Sequence, residues 1–445
     1  MPRVLLLATT TGYQTRAFGD AAERLGVELV FATDRCNMLE DPWQDSAIAI
    51  RFHEEEQSAA AIVEVARRRA IDGLLVVGDR PTVIAARVAG ALGLPGHPPD
   101  AAAIARHKLR TRERLRDAGL PVPWFVPVRV DDEQSPIRTL SLHFPCVLKP
   151  VALSGSRGVM RADDAASLAA AFDRLRVLLA SPDIRAERNP DHRVALVEGF
   201  IAGREFAVEG VLHHGELHLL AIFDKPDPLD GPFFEETIYI TPSTADAATQ
   251  AAIRAAVRDA ARAIGLRHGP IHAECRVNAE GVFVLEVAAR PIGGLCARAL
   301  RFVPTTSEQP ATSHPTSGGG GCERGQRSLE ELLLRHALGE SPAHWTREAQ
   351  ASGVMMIPIP KRGILRGVDG IDAAREVPGV EDVRITAKME QLLIPLPEGA
   401  SYLGFVFARA ADSTSADRAL RAAHARLRFA IDPELPVVVY NHAHG

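Results

Sequence analysis

Residues 271–290 read IHAECRVNAEGVFVLEVAAR and place two glutamates where they could share a cation. From Ile271 to Val277 the odd positions are Ile, Ala, Cys and Val, and the even ones are His272, Glu274 and Arg276. That alternation predicts a strand with one apolar and one charged face. A second strand runs from Val282 to about Ala288, and Asn278-Ala279-Glu280-Gly281 between them carries a hairpin signal. If Asn278 pairs with Val282, Glu274 falls opposite Glu286. Like charges facing across strands are destabilising. Such a pair needs a shared proton or a cation between its members. Two hard oxygen donors suit Mg²⁺, which completes its octahedron with water and substrate phosphates. The plainer alternative is a salt bridge from Glu286 to Arg290 at a strand end.

Two further segments could hold a nucleotide. In FPCVLKPVALSGSRGV, residues 144–159, an apolar strand ends at Lys149 and a small-residue turn comes after it, Ser154-Gly155-Ser156-Arg157-Gly158. Small residues let backbone N–H groups approach phosphate oxygens closely. Taken alone, such a turn is usually only a turn. In VALVEGFIAGREFAVEGV, residues 194–211, two apolar strands flank a linker, with Glu198 ending the first and Glu205 opening the second. The backbone at Phe200 and Ile201 can pair with a purine edge, and Glu205 can accept from ribose hydroxyls. An ordinary surface hairpin fits the same residues. Lys225 and Phe233–Glu236 lie in a loop-rich stretch and suit substrate recognition, or, for Lys225, a surface salt bridge.

The chain has only five lysines, at 108, 149, 225, 361 and 388, and otherwise uses arginine. A retained lysine is therefore a mild sign that a compact point charge is wanted, with drift as the alternative. Lys108 lies on a stripe with Ile104, Thr111 and Leu115, which predicts one helix over 101–119 with Lys108 facing inward. It either snorkels at the rim of the core or points into a cleft.

The surrounding elements come in a simple order. Val4–Ala8, Glu28–Ala32 and Gly73–Val77 read as buried strands; Phe18–Leu25, Ala59–Arg69 and Pro81–Leu92 read as helices. That order predicts βαβ units and a parallel sheet. No G-x-G-x-x-G comes after the first strand, only Thr9-Thr10-Thr11-Gly12, and no P-loop motif is present. Residues 303–327 are rich in Ser, Thr, Pro and Gly and read as a low-complexity insertion or lid. A helix is expected at Ser328–Leu338. Beyond it, strands at Gly353–Ile359, Val380–Ile385 and Tyr402–Ala408 and a helix at about Ala416–Phe429 suggest a small α+β unit.

With 445 residues, about three domains are expected. Composition is that of a globular protein, 46% hydrophobic and 24% charged, and a net charge of -5 gives no footprint for nucleic acid or anionic membrane. No apolar run spans a bilayer. Five cysteines, an odd number without paired spacing, argue against a disulfide framework and against a zinc site. The N-terminus reads as a strand rather than a signal peptide, so the cytoplasm is the expected location.

In this order, FPCVLKP with SGSRGV, then VEGFIAGREF, then HAECRV and VLEVAARPIGG resemble the ATP-grasp superfamily over roughly residues 100–300. Within it, EVAARPIGG and the tail after residue 350 look like the carboxylate–amine ligases resembling L-amino acid ligases. The resemblance implies α/β and α+β architecture in four parts. These are a pre-ATP-grasp domain (1–105), an ATP-grasp core (106–302), the insertion (303–327) and a C-terminal ligase-type domain (328–445). It also implies ATP and Mg²⁺, with Mn²⁺ as a possible substitute. Lys108 and Lys149 would contact phosphates, and Ser154, Gly155, Ser156 and Gly158 would form a mobile flap. Glu198, with Phe200 and Ile201, would hold adenine, and Glu205 the ribose. Glu274 and Glu286 would ligate the metal, and Arg290 would stabilise an acyl phosphate, with Lys149 also catalytic. Many members have Asn where this chain has Ala288, which leaves the third metal position in doubt. The implied reaction joins a small-molecule carboxylate to an amine with release of ADP, in a possible homodimer. A kinase or carboxylase on the same fold, a non-catalytic nucleotide binder and a periplasmic-type binding module are the rivals.

Overall fold

The computed structural model describes residues 1–9, 14–34, 47–131, 137, 142–305 and 325–434. Most of the 303–327 insertion, its Gly318–Gly321 run included, and Thr10-Thr11-Gly12 lie outside the described residues.

The N-terminal part is a four-stranded parallel sheet in the order Ile48–Ala49, Glu28–Thr33, Arg3–Leu7, Gly73–Val76. Val4 and Leu6 enter one apolar cluster with Phe18 and Ala21 of the helix Thr15–Leu25. Leu5 and Leu7 enter another with Ile62 and Ile84 of the helices Glu55–Arg68 and Thr82–Leu92. Both faces are covered, and that is why these strands read as unbroken apolar runs.

A four-stranded antiparallel sheet comes next, ordered Phe125–Arg129, Val194–Gly199, Cys146–Pro150, Met160–Ala162. Its partner is an eight-stranded sheet. This runs from the hairpin Gly281–Ala288 and Gly269–Asn278 through Arg204–His213, Glu216–Asp224 and Ile238–Thr241. It continues into Ala351–Ile357, Gly404–Ala410 and Val380–Ile385. Ile238–Thr241 pairs antiparallel with Ala351–Ile357, so one sheet carries residues from both sides of the 303–327 segment. Among the described residues no helix is long and apolar enough to cross a membrane.

Three local expectations need correction. The single helix over 101–119 is two, Pro99–Ala105 and Lys108–Asp117. His107 breaks it with an extended backbone and caps the second helix, its Nδ1 accepting from the Arg110 N–H at 3.3 Å. Lys108 is thereby the first residue of a helix rather than part of a mid-helix stripe. The helix expected to reach Phe429 ends at His424, and Arg428–Asp432 is a strand paired with Gly363–Asp369. Its period-two pattern loses to the helical reading only because it abuts a strong amphipathic helix.

The third concerns the hairpin. Asn278 pairs with Gly281, not Val282, so the turn is one residue tighter than expected. A bulge at Leu285 then shifts the register back, and Glu274 does face Glu286.

Gly203, in the linker between the two antiparallel sheets, has φ +126, and a Cβ there would lie 2.3 Å from the Val277 carbonyl oxygen. Gly203→Ala is expected to lower unfolding free energy by about 1–3 kcal/mol from backbone strain. A urea midpoint equal to wild type would show that the linker relaxes freely.

Candidate active site

The sheets and the C-terminal segment enclose a cleft of about 400 Å³. Lys108, Lys149, Ser154, Gly155, Ser156, Glu198, Phe200, Ile201, Glu205, Glu274, Glu286 and Arg290 all line it. Residues from four separated stretches of sequence therefore meet at one place.

Gly158 is the exception and must be withdrawn from the phosphate-binding set. Its N–H donates to the Pro397 carbonyl at 2.8 Å, and a Cβ would press on Leu175, Leu178 and Pro150. Beside it, the Arg157 guanidinium donates to the Glu398 carbonyl at 2.7 Å and to Asp183 at 2.6 Å. This end of the turn is tied to the C-terminal segment. The other end differs: among the described residues the amides of Ser154, Gly155 and Ser156 have no hydrogen bond within the chain. Gly155 and Ser156 sit at φ +64 and +55, so successive N–H groups can point to one side, as in an anion-binding nest.

Glu198 is also not what the sequence suggested. Its carboxylate is 2% exposed and fully engaged: Arg112 donates to both oxygens, at 2.8 and 3.1 Å, and Lys149 bonds to Oε1. Burial would raise its pKa, but Arg112 and then Lys149 overcome that and hold it at about 2. For Lys149 the balance has the opposite sign. Burial outweighs the attraction of Glu198, because Arg112 already neutralises that carboxylate and repels the ammonium, and the pKa falls. The pair thus favours the charged carboxylate while leaving the lysine short of negative charge, a deficit that a phosphate in the cleft would fill.

The linker backbone is partly committed. The Phe200 N–H donates to the Pro145 carbonyl at 3.1 Å, and the Ile201 carbonyl accepts from Arg276 at 2.7 Å. Among the described residues the Phe200 carbonyl and the Ile201 N–H have no partner within the chain, which leaves one acceptor and one donor. Glu205 accepts from Lys225 and from Arg276, both at 2.8 Å, one cation on each oxygen, and retains lone pairs.

The facing glutamates are each met by an ammonium. Lys108 lies 3.3 Å from Glu286 and donates to the Leu153 carbonyl at 2.6 Å; Lys225 lies 3.2 Å from Glu274. Lys225 is buried, not a surface salt bridge, and also bonds Glu236 at 2.5 Å. One oxygen from each of Glu205, Glu236 and Glu274 falls within 4.8 Å of the others. Burial, then the Glu274 carboxylate, push Glu236 up to about 7, while Lys225 only partly offsets them. The Lys225 ammonium already meets all three of these carboxylates. The facing Glu274 and Glu286 are the oxygen donors left to suit a hard divalent cation. Ala288 is buried and paired with His272 in the hairpin, so it offers no metal ligand.

Several groups here were not anticipated. Asp79, just after the strand Gly73–Val76, holds Arg290 through two bonds at 2.9 and 3.2 Å. Arg112 is fully buried. Glu209, wholly inaccessible, accepts from the Ile292 N–H and from His272, both at 3.1 Å. Burial opposes charge on His272, yet hydrogen bonds to Glu209 and Glu274 carry it up to about 9. His272 and Arg276 were visible as even positions of the charged face; Asp79 and Arg112 carried no local signal.

Three family models match the chain. They are an ATP-grasp N-terminal domain over residues 19–96, an ATP-grasp domain over 142–299, and L-amino acid ligase C-terminal domain 2 over 355–432. The chain thus carries an ATP-grasp domain between an ATP-grasp N-terminal domain and an L-amino acid ligase C-terminal domain, in the α/β and α+β architecture its motifs resemble. Its particular likenesses lie with ligases. The structure of an L-amino acid ligase from Bacillus licheniformis superposes with a TM-score of 0.78, covering 97% of this chain and 99% of that one at 24% identity. Chicken carnosine synthase 1 is 32% identical over 260 residues, 55% of this chain but only 27% of that protein. The uncharacterized protein y4rH of Sinorhizobium fredii is 24% identical over 444 residues, 97% of this chain and 84% of that one.

Breaking the buried ion pair is expected to cost about 3–5 kcal/mol in Glu198→Gln. The sign in pH is set by the depressed pKa. The stabilisation is complete above the unfolded value of about 4.5 and lost as pH falls toward about 2. Urea midpoints between pH 2 and 6 should fall steeply in wild type and less steeply in the variant. Parallel curves would show that Glu198 does not govern the acid limb.

Proposed function

We propose that the chain is an ATP-dependent ligase that activates a carboxylate as an acyl phosphate, joins it to an amine and releases ADP and phosphate. The observation that carries this reading is the meeting, in one cleft, of two lysines, three uncommitted amides, a facing pair of glutamates and Arg290. Such a set suits phosphoryl transfer, where catalysis is mostly positioning and charge stabilisation.

In this reading Lys108, Lys149 and the amides of Ser154 to Ser156 bind the phosphates. The Phe200 carbonyl and Ile201 N–H take the purine edge, and Glu205 the ribose. Glu274 and Glu286 would hold Mg²⁺, with Mn²⁺ as a substitute; the ion would neutralise charge on the phosphates. The carboxylate oxygen attacks the γ-phosphorus and the bond to ADP breaks. The amine nitrogen then attacks the acyl carbon, phosphate leaves, and the nitrogen gives up a proton. Arg290, fixed by Asp79, stabilises negative charge on the acyl phosphate and on the tetrahedral state. Ala400, Ser401 and Tyr402 of the C-terminal segment wall the cleft, which suits an intermediate that water would destroy. The C-terminal domain match and the names of the similar proteins support amino acids as substrates. Lys225, locked among three carboxylates, serves their charge balance rather than a substrate carboxylate.

Phosphate release from Mg-ATP, measured with amino acids offered singly and in pairs, tests the proposal. Release should require a carboxylate together with an amine, and Glu286→Gln should reduce it by about 100-fold or more. A phosphorylated product from one substrate alone would make the chain a kinase instead.

A further inference from the structure

Five histidines converge at the opposite end of the eight-stranded sheet. His213 ends the strand Arg204–His213, His214 lies in the turn after it, and His218 is on the returning strand. His268 lies between the helix Ala247–Ile264 and the strand Gly269–Asn278. His336 is on the helix Leu329–Ala337. Glu205 and His213 stand eight residues apart on one strand, about 26 Å at 3.3 Å per residue, so this cluster is separate from the cleft.

The rings are close. His268 and His336 stack with centroids 4.3 Å apart; His213 is 5.4 Å from each. One ring nitrogen from each of His213, His214 and His268 lies within 4.8 Å of the other two. His213 Nδ1 lies 3.3 Å from His336 Nε2. In a tetrahedral zinc site with bonds of about 2.0–2.1 Å, ligand nitrogens sit about 3.3–3.4 Å apart. The spacing is therefore that of two neighbouring ligands as well as that of a hydrogen bond.

The chemistry points the same way. Among the described residues no carboxylate lies within ion-pair reach of these four rings. The His268 Nδ1 contact with the His214 N–H is 3.5 Å, at the limit of a hydrogen bond, and little is lost by exchanging it. His268 and His336 are buried while His214 is exposed, which leaves a path for an ion. An all-imidazole set selects borderline ions such as Zn²⁺ over Mg²⁺.

We propose that His213, His214 and His268, with His336 adjacent as a fourth donor, form a site for a divalent transition-metal ion of the zinc type. The ion would pin the helix Leu329–Ala337 to the end of the large sheet.

The test uses the full chain, free of any affinity tag and stripped with chelator, titrated with Zn²⁺ in excess Mg²⁺ and without nucleotide. One equivalent should bind and raise Tm by several degrees, and Co²⁺ should give the visible absorption of a tetrahedral nitrogen site. His213→Ala and His268→Ala should each lower affinity beyond the roughly 10–100-fold seen for outer-shell partners, and Glu286→Gln should leave it unchanged. If a buried-site variant fails to fold, the exposed His214→Ala carries the same expectation. Absence of saturable Zn²⁺ binding, binding that survives these histidine substitutions, or binding lost in Glu286→Gln would overturn the proposal.

Discussion

The arrangement of the cleft depends on one buried guanidinium. Arg112 leaves the helix Lys108–Asp117 and grips both oxygens of Glu198 in the smaller antiparallel sheet. It also donates to the carbonyls of Val284 and Leu285, at 3.1 and 3.0 Å. Those carbonyls flank the bulge that brings Glu286 opposite Glu274. A bulge leaves a residue unpaired in the ladder, and buried carbonyls without donors are costly. Arg112 supplies the donors. One side chain thus ties the Lys108 helix, the Glu198 strand and the glutamate hairpin into one unit. A lysine could not do this, because only the planar fork reaches a carboxylate bidentately and two carbonyls at once.

A second constraint is charge. The cleft sets the buried Glu205 and Glu209 and the half-buried Glu236 and Glu274 against Lys225, His272 and Arg276. Buried ion pairs of this kind contribute little net stability, since desolvation offsets attraction. They do fix geometry. Glu209 grips both His272 and the Ile292 amide, and Asp79 fixes Arg290 from the N-terminal sheet. The N-terminal part thus reaches Arg290 through Asp79, and Gln14 donates to the Ile292 carbonyl nearby.

The C-terminal segment takes part by another route. Its strand Ala351–Ile357 extends the large sheet, and residues near Pro397 and Glu398 hold the far end of the small-residue turn through Gly158 and Arg157. Half of that turn is anchored and half presents bare amides. That division is a consequence of where the segment packs, not of the turn's composition.

Features dictated by local period and residue chemistry were legible in the chain alone. Two-sided burial made the parallel strands readable, and alternation made the charged face of residues 271–277 readable. The motifs Lys149 with Ser154–Ser156, and Glu274 with Glu286, carried the fold family and most of the cleft. Which groups meet was decided by the tertiary structure alone. Asp79 and Arg290 are 211 positions apart, and Arg112 and Val284 are 172 apart; no window of sequence contains such pairs. Packing also turned Gly158 away from the cleft, took up the Glu198 carboxylate, and set the hairpin register through a bulge that the turn residues do not encode. The physical reason is the same in each case. Periodicity reports which face of an element is buried, while the partner of a buried polar group is set by whatever distant element supplies the missing donor or charge.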